Sequence, residues 1–122
     1  MDWNFVSGIP IWSQLCDKLR RSIILGVYRP NEKMPGVREL AAEAQVNPNT
    51  MQRALAKLEE EGMLITHGTC GRFVSGDDDK LRRARKMMLR DAANDYMHKC
   101  AELGIPLEEA ILILKEEGDS IG

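Results

Sequence analysis

Aromatic residues are scarce: two Trp, two Tyr and two Phe make up 5% of the 122 residues. Seven methionines fill part of their place, which favours helix-on-helix packing over a broad sheet. Cysteine is scarce as well. Cys16, Cys70 and Cys100 are odd in number and far apart, with no C-x-x-C pair, so neither a disulfide framework nor a zinc site is indicated. No apolar run approaches the roughly 20 residues needed to span a bilayer. Met1–Pro10 lacks the basic start and apolar stretch of a secretory signal, so a cytoplasmic location without a membrane role is expected. Also missing are a nucleophile with a positioned base, a carboxylate pair and a phosphate-cradling loop. No catalytic residue, no metal and no cofactor is therefore expected.

Bulk positive charge is absent too, since the formal net charge is −2. Its distribution is uneven. Between Ile9 and Val74 nine Lys/Arg face seven Asp/Glu, a local excess of two positive charges, and the remaining acidity lies mostly C-terminal. Phosphate binding responds to local field rather than to whole-chain charge. Apolar residues make up 43% of the chain and charged residues 30%, enough for a buried core beneath a soluble surface.

Apolar positions at Ile11, Leu15, Leu19, Ile23 and Ile24 recur at a helical period, with Pro10 suited to the first turn and Gly26 to the end. Two prolines and a glycine between Pro30 and Gly36 predict a loop. Val37, Leu40, Ala41 and Ala44 mark a short second helix. Asn47-Pro48 then restarts the chain as a cap followed by a first-turn proline. The third helix is expected from about Pro48 to Glu61, stopped by Gly62, with Met51, Ala54, Leu55 and Leu58 inward. Leu64–Thr66 and Arg72–Val74 read as two short strands around a glycine-containing tip, His67 to Gly71. A long helix from about Asp78 to Leu103 and a last one from Pro106 to about Glu117 complete the chain. The fold class is mainly α with a small β-hairpin: a winged helix-turn-helix domain over residues 9–76, then a two-helix C-terminal dimerisation segment over residues 77–118.

The third helix opens on Asn47, Asn49, Thr50, Gln52 and Arg53, side chains that donate to and accept from base edges. It follows a short helix through a tight Gln45-Val46 connection, the order in which a recognition helix enters a major groove. Unpaired N–H groups at its start favour a nearby phosphate. The hairpin just beyond has small tip residues that let it approach a duplex backbone.

In this arrangement the sequence resembles the GntR family of bacterial regulators. The resemblance is carried by Pro10-Ile11-Trp12-Ser13-Gln14-Leu15, Gly26, and Met34-Pro35-Gly36-Val37-Arg38-Glu39-Leu40-Ala41. It continues through Val46-Asn47-Pro48-Asn49-Thr50-Met51-Gln52-Arg53-Ala54, Leu58-Glu59-Glu60-Glu61-Gly62 and Gly71-Arg72-Phe73-Val74. The tail of only two helices is similar to the YtrA-type branch. The resemblance implies a transcription repressor that binds double-stranded operator DNA as a homodimer on a pseudo-palindrome, often for a transporter operon. It implies that Arg38 contacts the DNA backbone or a base edge. Asn47, Asn49, Thr50, Gln52 and Arg53 become the recognition-helix candidates, and His67, Gly68 and Thr69 the wing tip. Three positions depart from the family pattern: Gly36 stands where serine is usual, Asn31 where glycine is common, and Thr69-Cys70 interrupt the usual Gly-x-Gly-Thr.

Plainer roles stand beside these. Arg38 can pair with a neighbouring Glu, Asn47 can serve only as a cap, Arg53 can pair with Glu60, and His67 can be an ordinary turn residue. Cys70 lacks the cation-rich setting of a redox thiol. The basic run Lys80, Arg82, Arg83, Arg85, Lys86 and Arg90 reads as a solvated helix face behind the acidic start Asp77-Asp78-Asp79. A winged-helix protein-interaction module without DNA binding is the alternative function.

The tail argues for a second copy. Ile111-Leu112-Ile113-Leu114 is apolar around the full helix, and a stretch of about 45 residues rarely builds a core alone. Leu81, Met88, Tyr96, Leu107, Ile111 and Leu114 are the expected interface. The tail leaves room for a small-molecule effector of unknown identity but is too short for a large ligand domain.

Overall fold

The computed structural model describes residues 1–121. Seven elements follow in order: α1 (Ile11–Ile24), α2 (Val37–Ala44), α3 (Pro48–Glu60), β1 (Leu64–Thr66), β2 (Arg72–Val74), α4 (Asp78–Glu102) and α5 (Leu107–Ile121). The chain divides into two compact units, Met1–Ala84 and Arg85–Gly122.

In the first unit α3 is the central element, with both α1 and α2 packed on it. The 3.6-residue period explains why. Leu15, Leu19 and Ile23 on α1, Leu40, Ala41 and Ala44 on α2, and Met51, Leu55 and Leu58 on α3 form one buried stripe per helix and meet in one core. Met34, Met63, Leu64 and Val74 close that core from the loops and the hairpin. Leu81 and Ala84, at the start of α4, pack against it as well.

Two capping devices set the angle between α2 and α3. Gln45 ends α2 in the left-handed region, φ +57° and ψ +48°, and the Val46 N–H returns to the Ala41 carbonyl at 3.0 Å. A non-glycine residue there costs about 1 kcal/mol, accepted because the turn must be this tight. Two residues later Asn47 caps α3: its Oδ1 accepts from the Asn49 N–H at 2.8 Å, with Pro48 in the first turn. Such a cap contributes about 1 kcal/mol.

The hairpin pairs antiparallel in the register Leu64↔Val74, Ile65↔Phe73, Thr66↔Arg72. Its tip closes through the Cys70 N–H to the His67 carbonyl at 2.9 Å and the His67 N–H to the Gly71 carbonyl at 3.0 Å. Gly68 at φ +51° and Gly71 at φ +110° take the conformations this turn demands.

Three features differ from the sequence expectation. The predicted loop Pro30–Gly36 provides a third edge to the hairpin. Lys33 bridges Phe73, the Met34 N–H reaches the Arg72 carbonyl at 2.9 Å, and the Val74 N–H reaches the Glu32 carbonyl at 2.8 Å. Asn31, at φ +68°, makes the bend that brings this segment alongside β2. Secondly, the residues before α1 are part of the unit. Trp3 and Phe5 pack on the core, and the Gln14 carboxamide binds the Val6 N–H, the Val6 carbonyl and the Ile9 carbonyl at 2.9, 2.9 and 3.0 Å. Thirdly, α5 runs past Glu117 to Ile121. Gly118 weakens a helix by about 1 kcal/mol relative to Ala, which does not stop this one, and the Ser120 hydroxyl returns to the Glu116 carbonyl.

Arg20 ties α1 to the end of α3. Its guanidinium donates to Glu61 at 2.6, 2.8 and 3.2 Å and to Asp17 at 2.7 Å. Burial works against the Arg20 charge most strongly, yet the two carboxylates together outweigh it and hold its pKa above the ordinary value. Burial also pushes the Cys16 thiol up, so it stays protonated inside the core.

In the second unit the Tyr96 hydroxyl donates to the Ala110 carbonyl at 2.7 Å, joining α4 to α5. Among the described residues of this unit, only Cys100 and Ala110 are buried. Leu107, Ile111, Leu112 and Leu114 remain 55, 44, 55 and 55% exposed. Among the described residues no helix is long and apolar enough to cross a membrane.

Candidate nucleic-acid interface

The outward side of α3 carries the polar residues that its apolar stripe leaves over. Asn47, Asn49, Gln52 and Arg53 are exposed and Thr50 is half-buried. The opening turn therefore faces solvent, because Met51, Ala54 and Leu55 take the inward positions between them. Asn47 caps the helix. Its Oδ1 is occupied by the Asn49 N–H, and its Nδ2 has no partner among the described residues.

Arg53 does not pair with Glu60, whose carboxylate meets Lys57 at 3.7 Å. Its guanidinium instead stacks over the Trp12 ring, 4.1 Å from the centroid. Stacking occupies the flat face and leaves the five edge N–H donors free to meet an anion. Trp12 belongs to α1, so the first and third helices jointly set the height of this arginine above the surface.

Arg38 is the second residue of α2, exposed, and has no ion-pair partner among the described residues. An unpaired guanidinium beside the helix that bears the polar turn suits a phosphate. At the wing tip His67, Gly68 and Thr69 are exposed. The His67 ring stands edge-on to Phe73, centroids 5.1 Å apart, and is thereby directed rather than loose.

The wing and the helix are bonded to each other. The Arg72 guanidinium donates to Gln52 Oε1 at 3.2 Å and lies 3.7 Å from Glu59, which also accepts from the Thr66 hydroxyl. Of the α3 residues singled out in the sequence, Gln52 is thus joined to the hairpin and Arg53 to α1 through Trp12. Two participants were not legible in the sequence, Arg72 and Trp12. The signals were there: an arginine in a three-residue strand, and a tryptophan on a helix in a chain poor in aromatics.

The expected interface residues of the tail separate into three groups. Leu81 packs on the core of the first unit, Met88 and Tyr96 are half-buried, and Leu107, Ile111 and Leu114 are exposed. Of the basic run on α4, Arg82 pairs with Asp78 at 2.8 Å, and the Lys80 stem lies against Gly62.

A helix-turn-helix followed at once by a short antiparallel hairpin is the architecture of winged helix-turn-helix DNA-binding proteins. Residues 12–74 match the model of the bacterial regulatory proteins of the gntR family. The chain belongs to the GntR family, and its relatives assign it to the YtrA-type branch. The HTH-type transcriptional repressor YtrA of Bacillus subtilis (strain 168) is 29% identical over 111 residues, 90% of this chain and 85% of that protein. The solved structure of a GntR family transcriptional regulator from Listeria monocytogenes matches with a TM-score of 0.85 at 29% identity, over 92% of this chain and 98% of its own. The AraR DNA-binding domain, solved in complex with operator ORX1, matches with a TM-score of 0.55 at 25% identity, over 59% of this chain and 93% of its own. The chain is a DNA-binding transcription regulator, not an enzyme.

Proposed function

We propose that this regulator is a cytoplasmic repressor that binds a pseudo-palindromic operator as a homodimer. The observation that carries the reading is the solvent-facing polar turn at the start of α3, flanked by an unpaired Arg38 and a directed His67. In it Asn49, Thr50 and Gln52 meet base edges in the major groove. Arg38 and Arg53 meet phosphates, and Asn47 adds its remaining amide donors. His67, Gly68 and Thr69 bring the wing tip to the neighbouring minor groove or backbone, where a flat ring and a glycine fit. Residues 9–76 act as the DNA-binding domain and 77–118 as the dimerisation segment, with the exposed Leu107, Ile111 and Leu114 against the second copy. The gene set regulated is a transporter operon, by analogy with the YtrA-type branch, with a small-molecule effector as a further partner.

A salt titration on a duplex selected from a random pool tests this. Wild-type affinity is expected to fall steeply as salt rises, because bound phosphates release counterions. Arg38→Ala is expected to weaken binding to every sequence alike and to lower the slope of log affinity against log salt by about 1. An affinity indifferent to salt would instead identify a protein-interaction module.

A further inference from the structure

The Arg72 side chain, on β2, reaches back onto the recognition helix and is only 18% exposed. Its Nη1 donates to Gln52 Oε1 at 3.2 Å, and its Nε faces Glu59 Oε1 at 3.7 Å. The same Glu59 oxygen accepts from Thr66, the residue opposite Arg72 across the hairpin. The guanidinium is therefore gripped between helix and wing, not loose on the surface. Guanidinium groups donate and never accept. Arg72 consequently decides which end of the Gln52 carboxamide faces it. Oε1 turns toward the arginine, and the two Nε2 protons are left outward with no partner among the described residues.

We propose that Arg72 is a specificity-determining residue that biases Gln52 toward donating, selecting guanine over adenine at its base pair. This rests on the reading of α3 as the groove-entering helix. An unrestrained glutamine pairs with adenine by accepting from N6–H and donating to N7. With Oε1 engaged by Arg72 the accepting half is weakened. The remaining amide donors match N7 and O6 of guanine, both acceptors. Arg72 acts through Gln52 and is a positioning residue. Its signature is a change in base preference, which a purely structural role in the hairpin does not produce.

Duplex selection from a random pool with the wild type, Gln52→Ala and Arg72→Leu tests this. The position whose preference vanishes in Gln52→Ala is the one that Gln52 reads. Guanine is expected there for the wild type, and Arg72→Leu is expected to move the guanine-to-adenine ratio about tenfold toward adenine. Should Arg72→Leu fail to fold by circular dichroism, 7-deazaguanine at that position decides with wild-type protein alone, its missing N7 costing about fivefold in affinity. Four results overturn the proposal: adenine preferred by the wild type, an unchanged preference in folded Arg72→Leu, no loss with 7-deazaguanine, or no Gln52-dependent position. Selection of no sequence at all is a separate result; it rejects the DNA-binding reading of α3, and this inference with it.

Discussion

Replacing Ile111 and Leu114 together by glutamate is expected to leave a folded 13.8 kDa monomer that binds a two-half-site operator at least about a hundredfold more weakly than the wild type. Ile111 and Leu114 are 44 and 55% exposed, and Leu107 and Leu112 beside them 55% each, so little of the chain's own packing depends on them. Apolar area left in water is costly at about 25 cal/mol per Å², and covering one such side chain is worth roughly 1.5–3 kcal/mol. A two-fold interface counts every substitution twice. Four glutamates in place of apolar contacts therefore weaken a dimer by at least about a thousandfold, and simultaneous engagement of two half-sites goes with it. Light scattering gives the mass, and titration of one-half-site and two-half-site duplexes gives the coupling. An unchanged mass in the double variant would place the interface elsewhere.

Leu55→Ala is expected to act on the other unit and to abolish DNA binding at 37 °C without touching any polar residue. Leu55 is 1% exposed and lies on the inner face of α3, between Met51 and Leu58, both fully buried. Truncating a leucine so enclosed costs about 2–5 kcal/mol, through lost transfer energy and the cavity left behind. That is a large part of the roughly 5–15 kcal/mol that holds a small domain together. The midpoint of thermal unfolding should fall by about 15 °C, at roughly 5 °C per kcal/mol for a unit of this size. The effect reaches function because α3 is at once the core element and the bearer of the polar turn. A fall of under about 3 °C would mean that α3 is not the keystone described.

The difference between these two substitutions follows from what the sequence shows and what it does not. Apolar spacing identifies the three short helices because their stripes face one core: Leu15, Leu40 and Leu55 each lie at a helical period and each are buried. Asn47-Pro48 and Gly62 set the ends of α3 through capping chemistry that is local and so is visible in sequence. The segment before α1 escaped because Trp3 and Phe5 stand in a stretch without helical period, and the clamp on that segment, Gln14 bonded to Val6 and Ile9, is made by a side chain of the next element. The Lys33 edge escaped for a similar reason: its hydrogen bonds are made by backbone, 40 residues away in sequence, at Phe73. At the site itself, the exposed polar turn was legible because an amphipathic helix with a full apolar stripe has only one other side to offer. The Arg72–Gln52 bond was not, since it joins two elements whose separation no local pattern records.

Mapping amide chemical shifts in the 15N-labelled protein, as a selected operator duplex is added, tests the central claim most directly. Perturbations are expected to concentrate at Arg38, at Asn47 to Arg53 and at His67 to Thr69. Perturbations confined to α5 or to the segment before α1, with that turn silent, would contradict it.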